Sequence, residues 1–253
     1  MRKALWTAGY FIAFVAVVAF LSWHLVFPPA DYQKELRLTE DNLTHLAKTS
    51  DLAQSLKVYA VNVVHSPPFK KPFVGYGIYL GKGTVLTAAH VVGRWPAFTD
   101  PRVLIAGQDL AANVIKLGST ETVDLALLSV DEAKLPIILR LRRSPLCTGP
   151  LKVGTDVAVV TPEASDRSRV ISPLQVLPQY RRRFGSLIND VKASGSGVFD
   201  VERGCLLGII SRKVEKFALR RVNGRIVAAP AGYAGYFVPV AKISKFLPPE
   251  LHF

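Results

Sequence analysis

The sequence predicts an all-β domain carried behind an N-terminal membrane-spanning helix. Three observations predict it. From residue 58 onward, short runs rich in Val, Ile, Leu and Tyr recur at fairly even spacing, punctuated by Gly, Pro, Asp and Asn, with almost no amphipathic helix among them. Residues 4–27, ALWTAGYFIAFVAVVAFLSWHLVF, contain no Asp, Glu, Lys or Arg and are long enough to cross a bilayer as a helix. Between the two, 31–57 is polar and compatible with helix.

Taken in order, Arg2 and Lys3 precede the apolar run, and Trp6 and Trp23 lie near its ends, where indole rings favour the membrane–water boundary. The positive-inside rule then puts the N-terminus in the cytoplasm and the rest of the chain across the membrane. A cleaved signal peptide is the rival reading. The run is long for such a leader and no small-x-small cleavage site follows it, which favours an uncleaved anchor. After the break FPPAD, Leu36, Leu43, Leu46, Ala53 and Leu56 fall roughly on one helical face, as in a stalk or a helix packed against the body.

The β runs are VYAVNVV, YGIYL, TVLTAAHVV, RVLIA, ANVIKLG, LALLSV, DVAVV, GVFD, CLLGIIS, RIVAAP and YFVPV, and the block divides at about 145 into halves of similar size. The most irregular stretch is 161–187, with Arg181, Arg182 and Arg183 in a row. Such a run reads as a solvated loop face or, more sharply, as a basic rim beside a substrate cleft. The end, PVAKISKFL, looks helical.

The 253 residues carry a formal charge of +13, which would ordinarily raise nucleic acid as a partner. The expected topology argues against that class, because it puts the basic domain across the membrane from nucleic acid. An anionic lipid surface or an acidic substrate fits better, and scattered Lys and Arg that merely solvate a surface account for the charge more simply still. Two cysteines, Cys147 and Cys205, make no disulfide framework. A single bridge and two buried thiols both remain open, with free thiols favoured because Cys205 sits in the apolar run CLLGII. No CxxC, HExxH or His-rich tract occurs, so neither a metal nor another cofactor is expected.

The stretch KASGSGVFD, 192–200, holds two serines flanked by glycines, and it is a nucleophile site only if a base and an orienting group exist elsewhere. Of the five histidines, His24 lies in the anchor, His45 in the stalk, His65 in a turn and His252 at the C-terminus. Only His90 ends a strand with small neighbours, Ala88 and Ala89, that leave room for an imidazole to be packed and aimed. In VDLALLSV, Asp124 heads an apolar strand, where a buried carboxylate can accept from a histidine Nδ1–H.

These three contexts resemble the trypsin-like (chymotrypsin-fold) serine peptidases, most closely the bacterial proteases of the HtrA/DegP kind. GYGIYLGKGTVLTAAHVV is similar to their approach to the histidine, VDLALLSV to the strand bearing the aspartate, SGSGVFD to the nucleophile segment, and GYFVPVAKISKFL to the closing strand and helix. The similarity spans about 58–248. It implies two six-stranded antiparallel β-barrels, about 58–144 and 145–248, within a protease domain over 58–253, preceded by the anchor (1–27) and a linker (28–57). It also implies a catalytic set of His90, Asp124 and Ser194, because counting back from Phe199 places the nucleophile at 194. Ser196 then replaces a glycine.

Two positions depart from the family pattern. Lys192 stands where a glycine normally helps form the oxyanion hole with the backbone N–H of Ser194, and Ala193 replaces the usual Asp or Asn. By the same resemblance the primary pocket's floor falls near Ile188, which implies a small or apolar side chain before the scissile bond unless Ile188 is a plain core residue, and Ser211, Arg212 and Lys213 line the strand that pairs with a peptide. Lys213 in place of glycine would narrow the pocket or favour acidic residues. The expected activity is that of a membrane-anchored serine endopeptidase of a bacterial inner membrane, its protease domain periplasmic and acting on protein or peptide. The alternative is a membrane-tethered barrel that binds peptides without cutting them. No PDZ domain is expected after 248.

Overall fold

The alternation of the first β runs has a direct consequence: consecutive residues of one strand enter different cores. The computed structural model describes residues 51–66, 72–93, 100–189, 193–222 and 225–251. The apolar stretch 4–27 and the polar stretch as far as 50 lie outside the described residues, within a separate unit, Met1–Ser50. Among the described residues, no helix is long and apolar enough to cross a membrane.

Asp51–Phe253 forms the other unit. Its first six strands are β1 (Ala60–His65), β2 (Phe73–Gly81), β3 (Thr84–Thr87), β4 (Arg102–Ile105), β5 (Gln108–Leu117) and β6 (Ala126–Val130). They pair in the order β1-β2-β3-β6-β5-β4, and β4 returns to β1 to close a barrel. The second six are β7 (Asp156–Val160), β8 (Ser165–Ile171), β9 (Leu187–Ile188), β10 (Gly197–Asp200), β11 (Leu206–Val222) and β12 (Arg225–Pro239). They close in the order β10-β11-β12-β9-β8-β7, with β7 pairing β10. The GKG turn between β2 and β3 uses left-handed backbone at Lys82 and Gly83, and the Gly83 N–H donates to the Tyr79 hydroxyl at 3.2 Å.

In β2, Tyr79 enters the core of the first barrel with Val61, Val85, Val103 and Leu128. Its neighbours Ile78 and Leu80 enter a central core, where Leu86, Leu125 and Leu127 meet Ala158, Val160, Leu187, Phe199, Leu206 and Ile209 of the second half. Strands buried on both faces read as continuous apolar runs, which is why YGIYL and LALLSV stand out in the sequence. Val157, Val159, Val170, Val198, Leu207, Ile210 and Phe237 fill the second barrel. The closing helix Val240–Phe246 buries Ile243 and Phe246 in the central core. Helical residues 51–56, the end of the predicted stalk, bury Ala53 and Leu56 there too.

Three expectations are corrected. The segment 161–187 is not loop throughout: it contains β8 and the start of β9. The runs RIVAAP and YFVPV belong to one strand, β12, which with β11 makes a ribbon longer than the barrel. Cys147 and Cys205 form a disulfide, their Cα atoms 5.0 Å apart. Leu146 bridges Leu206, with Cys147 N–H donating to the Leu206 carbonyl, so the two cysteines are already adjacent when the second barrel closes.

Candidate active site

Strand pairing brings His90 to Asp124. β3 and β6 are antiparallel neighbours with Thr87 opposite Ala126, so the chain just after β3 and the chain just before β6 lie at one end of the first barrel. His90 sits there on the single helical turn Ala89–Val92, and Asp124 precedes β6 by two residues. Ala88 and Ala89 are buried beneath it. His90 Nδ1 is 2.8 Å from Asp124 Oδ2, and the His90 backbone N–H donates to Asp124 Oδ1 at 3.1 Å. With its Nδ1–H donated to the carboxylate, the imidazole keeps Nε2 as the acceptor.

The Asp124 side chain is 3% exposed and that of His90 36%. Burial pulls the Asp124 carboxyl upward, but hydrogen bonds from His90 and from the Ser211 hydroxyl, together with the attraction of the imidazole, hold it below the ordinary carboxylate value. Ser211 donates to Asp124 Oδ2 at 2.5 Å. It sits where the β11–β12 register shifts between Ile210 and Arg212.

The Ser194 segment is fixed from both halves. Gly195 has φ +88°, and a Cβ there would lie 1.8 Å from the Tyr76 carbonyl oxygen. The Tyr76 N–H donates to the Ser194 carbonyl at 3.0 Å, and Gly195 N–H donates to Ile210 at 2.8 Å. Thr87 Oγ1 donates to the Tyr76 carbonyl at 2.5 Å, tying this contact to the strand that leads to His90. Ser194 is half-buried, and its hydroxyl donates to the Ser211 carbonyl at a long 3.4 Å. Ser196 is fully buried, and its hydroxyl donates to the Ala193 carbonyl at 2.8 Å, so its role is to hold the turn.

The other sequence-derived positions separate. Lys192 lies outside the described residues, and Ala193 is exposed. Ile188 is fully buried in the second barrel's core, paired with Gly235 and Val170. Arg212 is half-buried, donating to the Thr120 carbonyl at 3.1 Å, and Lys213 is exposed with Nζ 4.9 Å from the centroid of the Tyr233 ring. Sequence reasoning gave Ser211 only a place on the peptide-pairing strand and missed its bond to Asp124. It also missed Tyr76 and Thr87, whose types carry no catalytic signal. Among the described residues, no group of three or more His, Cys, Asp or Glu side chains could hold a metal ion.

The family described as trypsin-like peptidase domain matches residues 75–209. The chain belongs to this family. The matched span takes in His90, Asp124 and Ser194 and ends just before Ser211. No curated protein matches the trypsin-like chain in a comparison by sequence. Among solved structures, the active form of the Rv3671c protease of M. tuberculosis is similar at 17% identity, with a TM-score of 0.53 over 78% of this chain and 82% of that one. Deg5 is similar at 15% identity and a TM-score of 0.54, over 79% and 91% of the two chains. Kallikrein-related peptidase 10 in complex with Zn2+ is similar at 18% and 0.53, over 75% and 92%. At these identities the likeness is one of fold, the chymotrypsin-like β fold.

Proposed function

We propose that this trypsin-like chain is a serine endopeptidase anchored to a membrane through residues 4–27, with its barrels on the far side of that membrane. The observation that carries the activity is the His90 Nδ1–Asp124 Oδ2 contact of 2.8 Å. In the proposed reaction Nε2 of His90 takes the Ser194 hydroxyl proton as Oγ attacks a peptide carbonyl. The imidazolium then gives that proton to the leaving amine. Asp124 fixes the tautomer and stabilises the imidazolium. The backbone N–H groups of Ser194 and Lys192 receive the developing oxyanion. Water hydrolyses the acyl-enzyme by the same proton path in reverse.

In the proposed attack the Ser194 hydroxyl leaves the Ser211 carbonyl and donates to His90 instead. Catalytic hydrogen bonds commonly tighten only once substrate is bound. That resting hydroxyl position, together with a lysine at position 192 where the family pattern has glycine, favours the second reading, a barrel that binds peptides without cutting them. Labelling of the full chain with a fluorophosphonate, beside Ser194→Ala and Ser196→Ala variants, separates the two. Labelling lost only in Ser194→Ala supports the endopeptidase, and no labelling of the folded native chain overturns it. Protease protection in sealed membrane vesicles tests the topology: the barrels are expected to be shielded in inside-out vesicles and digested in right-side-out ones.

A further inference from the structure

A second polar cluster lies beside the proposed catalytic groups. Thr120, in the loop between β5 and β6 and four residues before Asp124, offers one carbonyl oxygen to two guanidinium groups. Arg183 Nη2 donates to it at 2.5 Å and Arg212 Nη2 at 3.1 Å. The two cationic nitrogens are therefore no further apart than the sum of those two lengths. Arg183 follows the helical turn Pro178–Arg181, and Arg212 is the residue after Ser211. Both guanidinium carbons also lie over the Phe184 ring, at 5.5 and 5.4 Å from its centroid. Phe184 is itself buried and meets Tyr236 edge-on at 4.9 Å. Three separate segments thus converge to hold two like charges side by side on an apolar floor.

Nothing among the described residues neutralises them. None of the ion pairs among those residues includes Arg183 or Arg212. Asp124 is committed to His90 and Ser211. Arg212 Nε is sealed from water and has no hydrogen-bond partner. A desolvated guanidinium edge without an acceptor is costly, and a second cation beside it adds repulsion. The repulsion is relieved by a carboxylate, whose two oxygens match the guanidinium Nη–H groups in a fork. Each arginine spends a single N–H on Thr120 in the bonds described, and Arg183 is exposed.

From this we infer that Arg183 and Arg212 form a carboxylate-binding subsite that selects peptides bearing Asp or Glu close to the bond presented to Ser194. The inference rests on the reading of Ser194 as the attacking residue and of Ser211–Lys213 as the strand that pairs with peptide. The Ser211 carbonyl is 3.4 Å from Ser194 Oγ, and residues along a strand advance by about 3.3 Å each. The acidic side chain therefore falls within about three residues of the bond. Lys213, exposed and next in sequence, adds positive charge on the same strand. The chain's charge of +13 supplies a long-range field of the same sign.

The test uses the full chain in non-ionic detergent and fluorescein-labelled peptide pools with Glu or the isosteric Gln fixed at one position and neutral residues elsewhere. Two measurements run in parallel: cleavage by the native protein, and anisotropy-detected binding to Ser194→Ala. Glu pools are expected to exceed Gln pools by about tenfold or more at one position, the scale of a charge-assisted fork. Raising salt from about 0.01 to about 0.15 M, which shortens the screening length from about 30 to about 8 Å, is expected to reduce that ratio several-fold. Arg183→Gln and Arg212→Gln each lower it, and the double variant brings it to parity. Retained circular dichroism and retained binding of the Gln pools show that the variants are folded. Parity in the native chain at every position, or an unchanged preference in the folded double variant, overturns the subsite. Glu-selective binding without any cleavage leaves the subsite standing and defeats the endopeptidase reading. Cleavage of Glu and Gln pools at equal rates does the reverse.

Discussion

Ser211 and Asp124 are 87 residues apart in sequence, yet the Ser211 hydroxyl donates to Asp124 Oδ2 at 2.5 Å, on the same oxygen that faces His90 Nδ1. The carboxylate is thereby held from both barrels, and Ser211 also presents its carbonyl to Ser194. A hydrogen bond to a buried charge is worth about 1.5–3 kcal/mol. Ser211→Ala is therefore expected to slow fluorophosphonate labelling by about ten- to a hundredfold while leaving the chain folded. An unchanged labelling rate would show that His90 alone suffices to orient Asp124.

The lowered carboxyl of Asp124 makes a statement about acid stability. Its value in the folded chain lies below that of the unfolded chain, near 3.9, so ionisation favours folding. That contribution is fully present above about pH 4 and is lost as the pH falls through the lower, folded value. Urea unfolding of native and Asp124→Asn chains between about pH 6 and pH 2 is expected to show a steeper acid loss in the native chain. Parallel curves would mean that Asp124 gains nothing net from its three donors.

Backbone geometry predicts an asymmetry within the serine turn. Gly195→Ala forces a side chain into left-handed backbone and against the Tyr76 carbonyl, displacing Ser194. Strain of this kind costs about 1–3 kcal/mol, and labelling is expected to vanish. Ser196→Ala removes only a turn hydrogen bond of about 1 kcal/mol and keeps labelling. Equal labelling of the Gly195→Ala chain would show that the turn can relax around the added carbon.

The legible parts of the fold were those where burial dictates residue type. His90, Asp124 and Ser194 each adjoin an apolar strand, and those strands are unmistakable because both of their faces are covered. β8 was missed because Ser165–Arg169 is polar on both faces and is held chiefly by pairing with β7. β12 was divided because Pro230 and Gly232, the latter with φ +90°, interrupt its apolar pattern. Contacts such as Ser211–Asp124 and Arg212–Thr120 join residues that only barrel closure brings together, and no local pattern encodes them. Arg183 was visible as part of a basic run, whereas its partners on Thr120 and Phe184 were not.

The disulfide is the point where sparse cysteine usage misled, since two cysteines give no spacing pattern to read. Cys147–Cys205 closes a separation of 58 residues, and cross-links of this size typically add about 2–4 kcal/mol. The Cys147→Ser/Cys205→Ser chain is expected to melt lower by that margin, and unfolded native chain to react with maleimide only after reduction. Two thiols titrating without reductant would place the domain in a reducing compartment and contradict the proposed topology.

In the proposed site, Lys192 stands where the family pattern has a glycine of the oxyanion hole. Any residue supplies a backbone N–H, but glycine adopts more readily the conformation that turns it toward the oxyanion, and loss of one such donor costs about 10²–10³ in rate. If the native chain is an endopeptidase, Lys192→Gly is expected to raise the rate of labelling and of peptide cleavage by less than about tenfold, because the donor is already in place once substrate binds. A gain of a hundredfold or more would mean that the native oxyanion hole is open or misdirected. His90, Asp124 and Ser194 would then be a competent proton path beside a disabled electrostatic one. The barrel's contribution would in that case be peptide binding, with selection by charge at Arg183 and Arg212 its remaining chemistry.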